Sequence, residues 1–153
     1  MGGSASLALG GIFTYVAAMR DQGQQPCFAP DAAHIETLAL TTLSRLPAPF
    51  AEHLSGVVLF VQEFADDAVL RDMEIENPFD LTGLYAGRSV GQEAQTGDLP
   101  PSIFLYRRPL LDEWVETGVA LEALIAHVVI HEVGHHFGLS DADMHALEEM
   151  VAQ

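Results

Sequence analysis

The chain has 153 residues, a formal net charge of −16 and a hydrophobic content of 49%. A length of about 150 residues is typical of one domain with a core large enough to fold without disulfides. The chain has 22 acidic residues and only six basic ones, all arginine. This excess of negative charge argues against nucleic acid as a partner, because phosphate binding needs a basic surface. We expect a globular protein whose acidic surface keeps it in solution, and the alternative interpretation of the acidity is a preference for basic or neutral ligands.

Residues 1–30 are predicted to be an extension, flexible or partly helical, and residues 31–153 to form the domain. The apolar run Leu7–Met19 has no basic residue before it and is shorter than the roughly 20 residues of a membrane helix. We therefore expect neither a signal peptide nor membrane binding, and deletion of residues 1–18 should leave the fold intact. The single cysteine, Cys27, cannot form an internal disulfide, which fits a cytoplasmic location.

The domain is predicted to begin with an amphipathic helix. Asp31 is a typical cap, Pro47 stops the pattern, and apolar residues recur at helical spacing between them, at Ile35, Leu38, Leu43 and Leu46. The run GVVLFVQEFA, from Gly56, is short, β-branched and aromatic, which predicts a buried strand. DDAVLRDM is predicted to be a helical turn, and residues 84–90 a second strand.

The C-terminal half is predicted to contain one more strand and three helices. In SIFLYRRPLL, successive side chains alternate between two faces, both able to pack, until Pro109 interrupts the pattern. This favours a strand at the edge of the sheet. LDEWVETG is predicted to be a short helix. A long helix is expected from Val119 to Phe137 with Gly138 ending it, and a closing helix from Asp141 to Val151.

The long helix carries the motif H-E-x-x-H. His131 and His135 are about 40° apart around a helix and one turn along it, so both imidazoles can bind one ion. Two neutral imidazoles are typical Zn²⁺ ligands, and Glu132 beside them can act as the base for a water molecule. Gly138 permits a left-handed turn that can bring Asp141 back over the two histidines.

The stretch HEVGHHFGLSDADM, residues 131–144, resembles the signature of the small bacterial minimal-zincin family of metzincin-like zinc metallopeptidases. The similarity continues through NPFDLTGLYAG and SIFLYRRPLLDEW and covers roughly residues 31–150. It implies an α+β, single-domain fold in which a small mixed sheet packs on an N-terminal helix and the H-E-x-x-H helix.

The same resemblance implies a set of site residues. His131, His135 and Asp141 would be the zinc ligands, Glu132 the general base, and Ile103–Arg107 the strand above the cleft. Metzincins usually have a third histidine where this chain has Asp141, and their methionine turn lies well downstream, whereas here the nearest methionine is Met144.

Three other side chains have two interpretations each. His127 and His145 are either additional ligands or structural residues, and Tyr106 is either an electrophile for the reaction or a strand aromatic. His136 points about 100° away from its neighbour His135 and is predicted to pack or hydrogen-bond. Asp143 has a local role, because SDAD fits a capping box with Ser140.

These features predict a zinc peptidase with one Zn²⁺ per chain that acts on peptides or extended protein segments. One alternative is a non-catalytic metal-binding or peptide-binding module on the same scaffold, and another is a helical interaction protein without metal. Glu132 favours the peptidase, because a structural site needs no acid beside its ligands. The sequence carries no signal for oligomeric state, cleavage preference or an oxyanion-stabilising residue.

Overall fold

The computed structural model describes residues 27–88, 91, 97 and 99–152. The run Leu7–Met19, and with it the predicted effect of deleting residues 1–18, lies outside these residues. Within the described ranges, no helix is both long and apolar enough to cross a membrane.

The fold is α+β, as predicted. The described residues form the helices α1 (Ala32–Ser44), α2 (Ala48–Leu54), α3 (Asp67–Asp72), α4 (Arg107–Thr117), α5 (Leu121–Phe137) and α6 (Asp141–Val151), a 3₁₀ helix (Pro78–Asp80), and the strands β1 (Val58–Gln62), β2 (Gly83–Ala86) and β3 (Ser102–Tyr106). The predicted closing helix has the bounds of α6, and the predicted long helix begins two residues later than expected.

Helix α1 begins where the cap was predicted. The Asp31 carboxylate accepts a hydrogen bond from the His34 backbone N–H at 2.8 Å, which satisfies one of the unpaired donors of the first turn. Ile35 and Ala39 are fully buried on the face of α1 that packs on the sheet. Helix α2 was not predicted, because it has only seven residues and buries none of them.

The sheet has three strands in the order β1-β3-β2. Strand β3 pairs parallel with β1 and antiparallel with β2, so it is the central strand, and its predicted edge position is wrong. Both faces of β3 are covered: Ile103 and Leu105 are buried on one face, Ser102 and Tyr106 on the other. The two usable faces therefore indicated a strand buried on both sides rather than an edge.

Strand β3 also ends earlier than predicted. Arg107 is the first residue of α4, and Pro109 lies in the first turn of that helix, where its missing N–H costs nothing. Helices α1 and α5 pack side by side on one face of the sheet, around buried residues such as Ile35, Leu105 and Val129. This core holds α5 rigidly beneath the sheet.

Candidate metal centre

Helix α5 brings together the three residues of the H-E-x-x-H motif. One potential ligand atom from each of His131, Glu132 and His135 lies within 4.8 Å of the other two. The two imidazole rings are 4.8 Å apart between centroids and nearly perpendicular, at 86°. Both histidines are exposed and Glu132 is buried, so the imidazoles open to solvent while the carboxylate faces the protein.

Glu132 is held by strand β2. Its side chain is only 7% exposed, and the backbone N–H of Tyr85 donates a hydrogen bond to its carboxylate. Burial raises the pKa of Glu132, while the adjacent His135 and His131 and the Tyr85 N–H act to lower it. The carboxyl group is thus a stronger base than an exposed glutamate.

Gly83 allows β2 to approach α5 this closely. A Cβ atom at Gly83 would lie 2.6 Å from Val128 Cγ1 and 3.4 Å from both Cγ and Oε1 of Glu132. Glycine inside a strand often marks such an approach of two backbones. The contact places the β2 backbone within reach of the Glu132 carboxylate.

We therefore expect Gly83→Ala to destabilise the protein by about 1–3 kcal/mol, the usual cost of overpacking a filled site. The β-branched Val128 cannot easily move aside, so β2 must shift away from α5. Gly56→Ala is the matched control, because nothing lies within 4 Å of a Cβ there. The free energy of unfolding from urea titration checks the pair, and equal stabilities of the two variants would contradict the close approach.

The chain reverses after α5 as predicted. Gly138 has a φ of 66°, in the left-handed region, and the Leu139 N–H donates to the Gly134 carbonyl at 2.9 Å. The predicted capping box is also confirmed: the Asp143 N–H donates to Ser140 Oγ at 3.3 Å and the Ser140 N–H to Asp143 Oδ2 at 3.4 Å. Helix α6 thus starts beside the end of α5.

Asp141 lies at the first position of α6 and is exposed. It lines a hollow of about 420 Å³ together with His131, and the other lining residues are His127, Met144, His145 and Glu148. Its carboxylate is not part of the group of potential ligand atoms within 4.8 Å of one another, which comprises His131, Glu132 and His135. The structure brings Asp141 to the same hollow as His131, and its role as a ligand stays a prediction.

Comparison with known proteins agrees with this geometry. The family model described as zincin-like metallopeptidase matches residues 54–151, well over half of the chain. The chain belongs to the zincin-like metallopeptidase family. No curated protein matches the chain. The matched range begins at the last residue of α2 and includes the whole sheet and the helices α5 and α6, so the predicted zincin-like fold is confirmed.

Three further histidines of this zincin-like domain, His127, His136 and His145, have partners of their own. His127 Nδ1 lies 2.7 Å from Glu148 Oε1, and His145 Nε2 lies 3.5 Å from Glu149 Oε1. His136 is buried and hydrogen-bonds through Nδ1 to the Tyr85 hydroxyl at 2.6 Å, which confirms its predicted structural role. Burial lowers the pKa of His136, so it is neutral at pH 7.

Tyr106 is a core residue in the zincin-like domain. It is 1% exposed, packs with Ala65, Leu70 and Leu81, and burial raises its pKa to about 12. A side chain so enclosed does not reach a substrate, which favours the interpretation as a strand aromatic.

Sequence reasoning missed Tyr85 and Gly83. Both lie in GLYA, where the one available signal was a glycine inside a strand pattern. That signal indicates a close approach of two backbones but does not identify the partner.

Proposed function

We propose that this zincin-like protein is a zinc-dependent peptidase in which Glu132 is the general base. The observation that carries the proposal is the arrangement on α5: two exposed imidazoles with a buried, oriented carboxylate between them, all within 4.8 Å. The family match supports a function of the metallopeptidase type.

The donor set fits zinc. Two imidazoles and one carboxylate, with a position left for water, are a common catalytic zinc site. We assign His131 and His135 as two of the ligands and Asp141 as the third, because Asp141 borders the same hollow as His131. When bound, Zn²⁺ supplies the Lewis acidity that activates water near neutral pH.

Glu132 performs the proton transfers in this proposal. Its carboxylate accepts a proton from the water as the water oxygen attacks the carbonyl carbon of the scissile peptide, and returns that proton to the leaving amine. Burial suits this role, since a raised pKa brings the group closer to the operating pH. The Tyr85 N–H bonds this carboxylate, which lies within 4.8 Å of a ring nitrogen of each of the two histidines.

We propose that the substrate is an extended peptide segment that lies beside β2. The family resemblance implied that Ile103–Arg107 is the strand above the cleft, but β3 is central and β2 is the edge strand next to α5. An exposed strand edge can pair with an extended peptide through main-chain hydrogen bonds.

Charge indicates which side chains the cleft prefers. Two hollows adjoin His131; Glu113 lines one and Glu148 the other. With the net charge of −16, these carboxylates favour basic or neutral substrates. We also propose that the protein is cytoplasmic and has no nucleic acid partner, as its composition indicates. Residues 31–153 are proposed to form the domain.

A non-catalytic metal-binding module is the second candidate. A closed structural site needs four protein ligands, and His127 is a candidate for the fourth, with its ring 6.5 Å from that of His131. His127 is already paired with Glu148 at 2.7 Å, which favours the open, catalytic arrangement.

Metal analysis of the full chain, purified without chelator, tests the metal site. We expect one zinc per chain in the wild-type protein and its loss in both His131→Ala and His135→Ala, because two remaining protein ligands bind zinc poorly. His127→Ala is the matched control and should retain zinc. Full occupancy in either ligand variant would place the metal elsewhere, and loss of zinc from His127→Ala would support the closed, non-catalytic site.

A further inference from the structure

Tyr85 attaches β2 to α5 through two separate groups. Its backbone N–H bonds the Glu132 carboxylate, which lies against the same strand, 3.4 Å from the position of a Cβ at Gly83, and its phenol hydroxyl hydrogen-bonds His136 Nδ1 at 2.6 Å. Glu132 and His136 are four residues apart, one turn along the same face of α5. One residue of the edge strand therefore contacts two successive turns of the helix that carries the candidate site.

The register of the sheet explains why the Tyr85 N–H is available to Glu132. The Thr82 carbonyl accepts a hydrogen bond from the Tyr106 N–H at 3.0 Å, so residue 82 directs its backbone groups towards β3. Backbone direction alternates along a strand, and Leu84, which is paired with Phe104, therefore also faces β3. Tyr85 faces the other way, towards the free edge, where its N–H meets the carboxylate.

The phenol of Tyr85 is fixed at the other end. The hydroxyl also contacts the backbone carbonyl of Arg88, just after β2, and the His136 ring is only 6% exposed. A phenol held by a buried ring and a backbone carbonyl has little freedom to rotate. Because β2 has only four residues, fixing this side chain also fixes the backbone at the same position.

We propose that Tyr85 is a positioning residue for the general base: its phenol, locked on His136, holds the backbone N–H that orients the Glu132 carboxylate. The proposal rests on the peptidase function for its catalytic consequence, but the positioning itself is a property of the fold. Loss of the phenol hydroxyl frees the end of β2, and the N–H at residue 85 then separates from the carboxylate more often. The base loses orientation, whereas the histidine ligands on α5 are unaffected.

Amide hydrogen exchange, measured by NMR on the full zinc-loaded chain, tests the positioning. The Tyr85 amide should be protected although it faces the sheet edge, and its exchange should accelerate about tenfold or more in Glu132→Ala, as expected for loss of one hydrogen bond. Tyr85→Phe should accelerate exchange at residue 85 by a similar factor. The Leu84 amide, bonded to β3, is the internal control and should change little in both variants.

A control variant separates positioning from general loosening of the fold. Thr42→Val removes another buried hydroxyl, one that bonds the Leu38 carbonyl in α1, and should leave the Tyr85 amide protected. Equal acceleration at residues 84 and 85 in Tyr85→Phe, or an unprotected Tyr85 amide in the wild-type protein, would overturn the proposal. The hydrogen-exchange rates at residues 84 and 85 do not depend on hydrolysis, so the positioning and the peptidase function can fail independently.

Kinetics test the catalytic consequence. Tyr85→Phe should lower kcat about tenfold, as expected for a misplaced catalytic group, with KM and zinc content near wild type. A raised KM with unchanged kcat would show that Tyr85 serves substrate binding and would overturn the assigned role.

Discussion

Replacing Glu132 by glutamine is expected to abolish peptide hydrolysis while the fold and the bound zinc remain. The amide has nearly the shape of the carboxyl group and can still accept the hydrogen bond from the Tyr85 N–H, but it cannot take a proton from water. Removing a positioned general base typically costs about 10²–10⁴-fold in rate. The measurement is kcat/KM on a cleaved peptide, alongside zinc content and melting temperature.

The matched control for this variant is Glu116→Gln. Glu116 is exposed on α4, so the same loss of one charge there should leave hydrolysis unchanged. Hydrolysis at the wild-type rate by Glu132→Gln would contradict the assigned mechanism. Loss of zinc or of folding in that variant would instead show that Glu132 has a structural role.

Asp141→Ala is expected to weaken zinc binding by at least about 100-fold, because a third protein ligand is lost. Asp143→Ala should leave zinc affinity unchanged and lower stability by about 1 kcal/mol through loss of the capping box. The two carboxylates are two residues apart, so they provide matched controls for each other. Competitive zinc titration and thermal unfolding of both variants measure the two effects.

The outcome that would contradict this assignment is the reverse pattern. Unchanged zinc affinity in Asp141→Ala with a large loss in Asp143→Ala would make Asp143 the third ligand. Asp143 already bonds Ser140 through both its N–H and its carboxylate, which leaves it less free to bind metal. Asp141 is not part of the capping box, and its side chain borders the hollow beside His131.

Features set by local chemistry could be predicted from the sequence. The caps Asp31 and Ser140 and the left-handed Gly138 bound their helices as expected, because each bonds residues no more than five positions away. The placement of His131, Glu132 and His135 follows from helical periodicity alone. These local rules predicted α5 and α6 well.

Features that depend on long-range packing could not be predicted from one sequence. The two-faced pattern of Ser102–Tyr106 fits an edge strand or a central one, and the pairing with both β1 and β2 decides between them. Tyr85 and His136 are 51 positions apart, and no spacing indicates that they meet. The third ligand could not be predicted from spacing either, because the distance of the Asp141 carboxylate from the two histidines depends on how α6 packs against α5.

A peptide-library digest by the zinc-loaded chain, with product identification by mass spectrometry, tests the peptidase function most directly. We expect cleavage of extended peptides, loss of cleavage on chelation and recovery on adding zinc back, with Glu132→Gln inactive throughout. Basic or neutral residues should be enriched around the cleaved bonds. A chain that holds one zinc and cleaves no peptide in the library would contradict the function and favour the binding module.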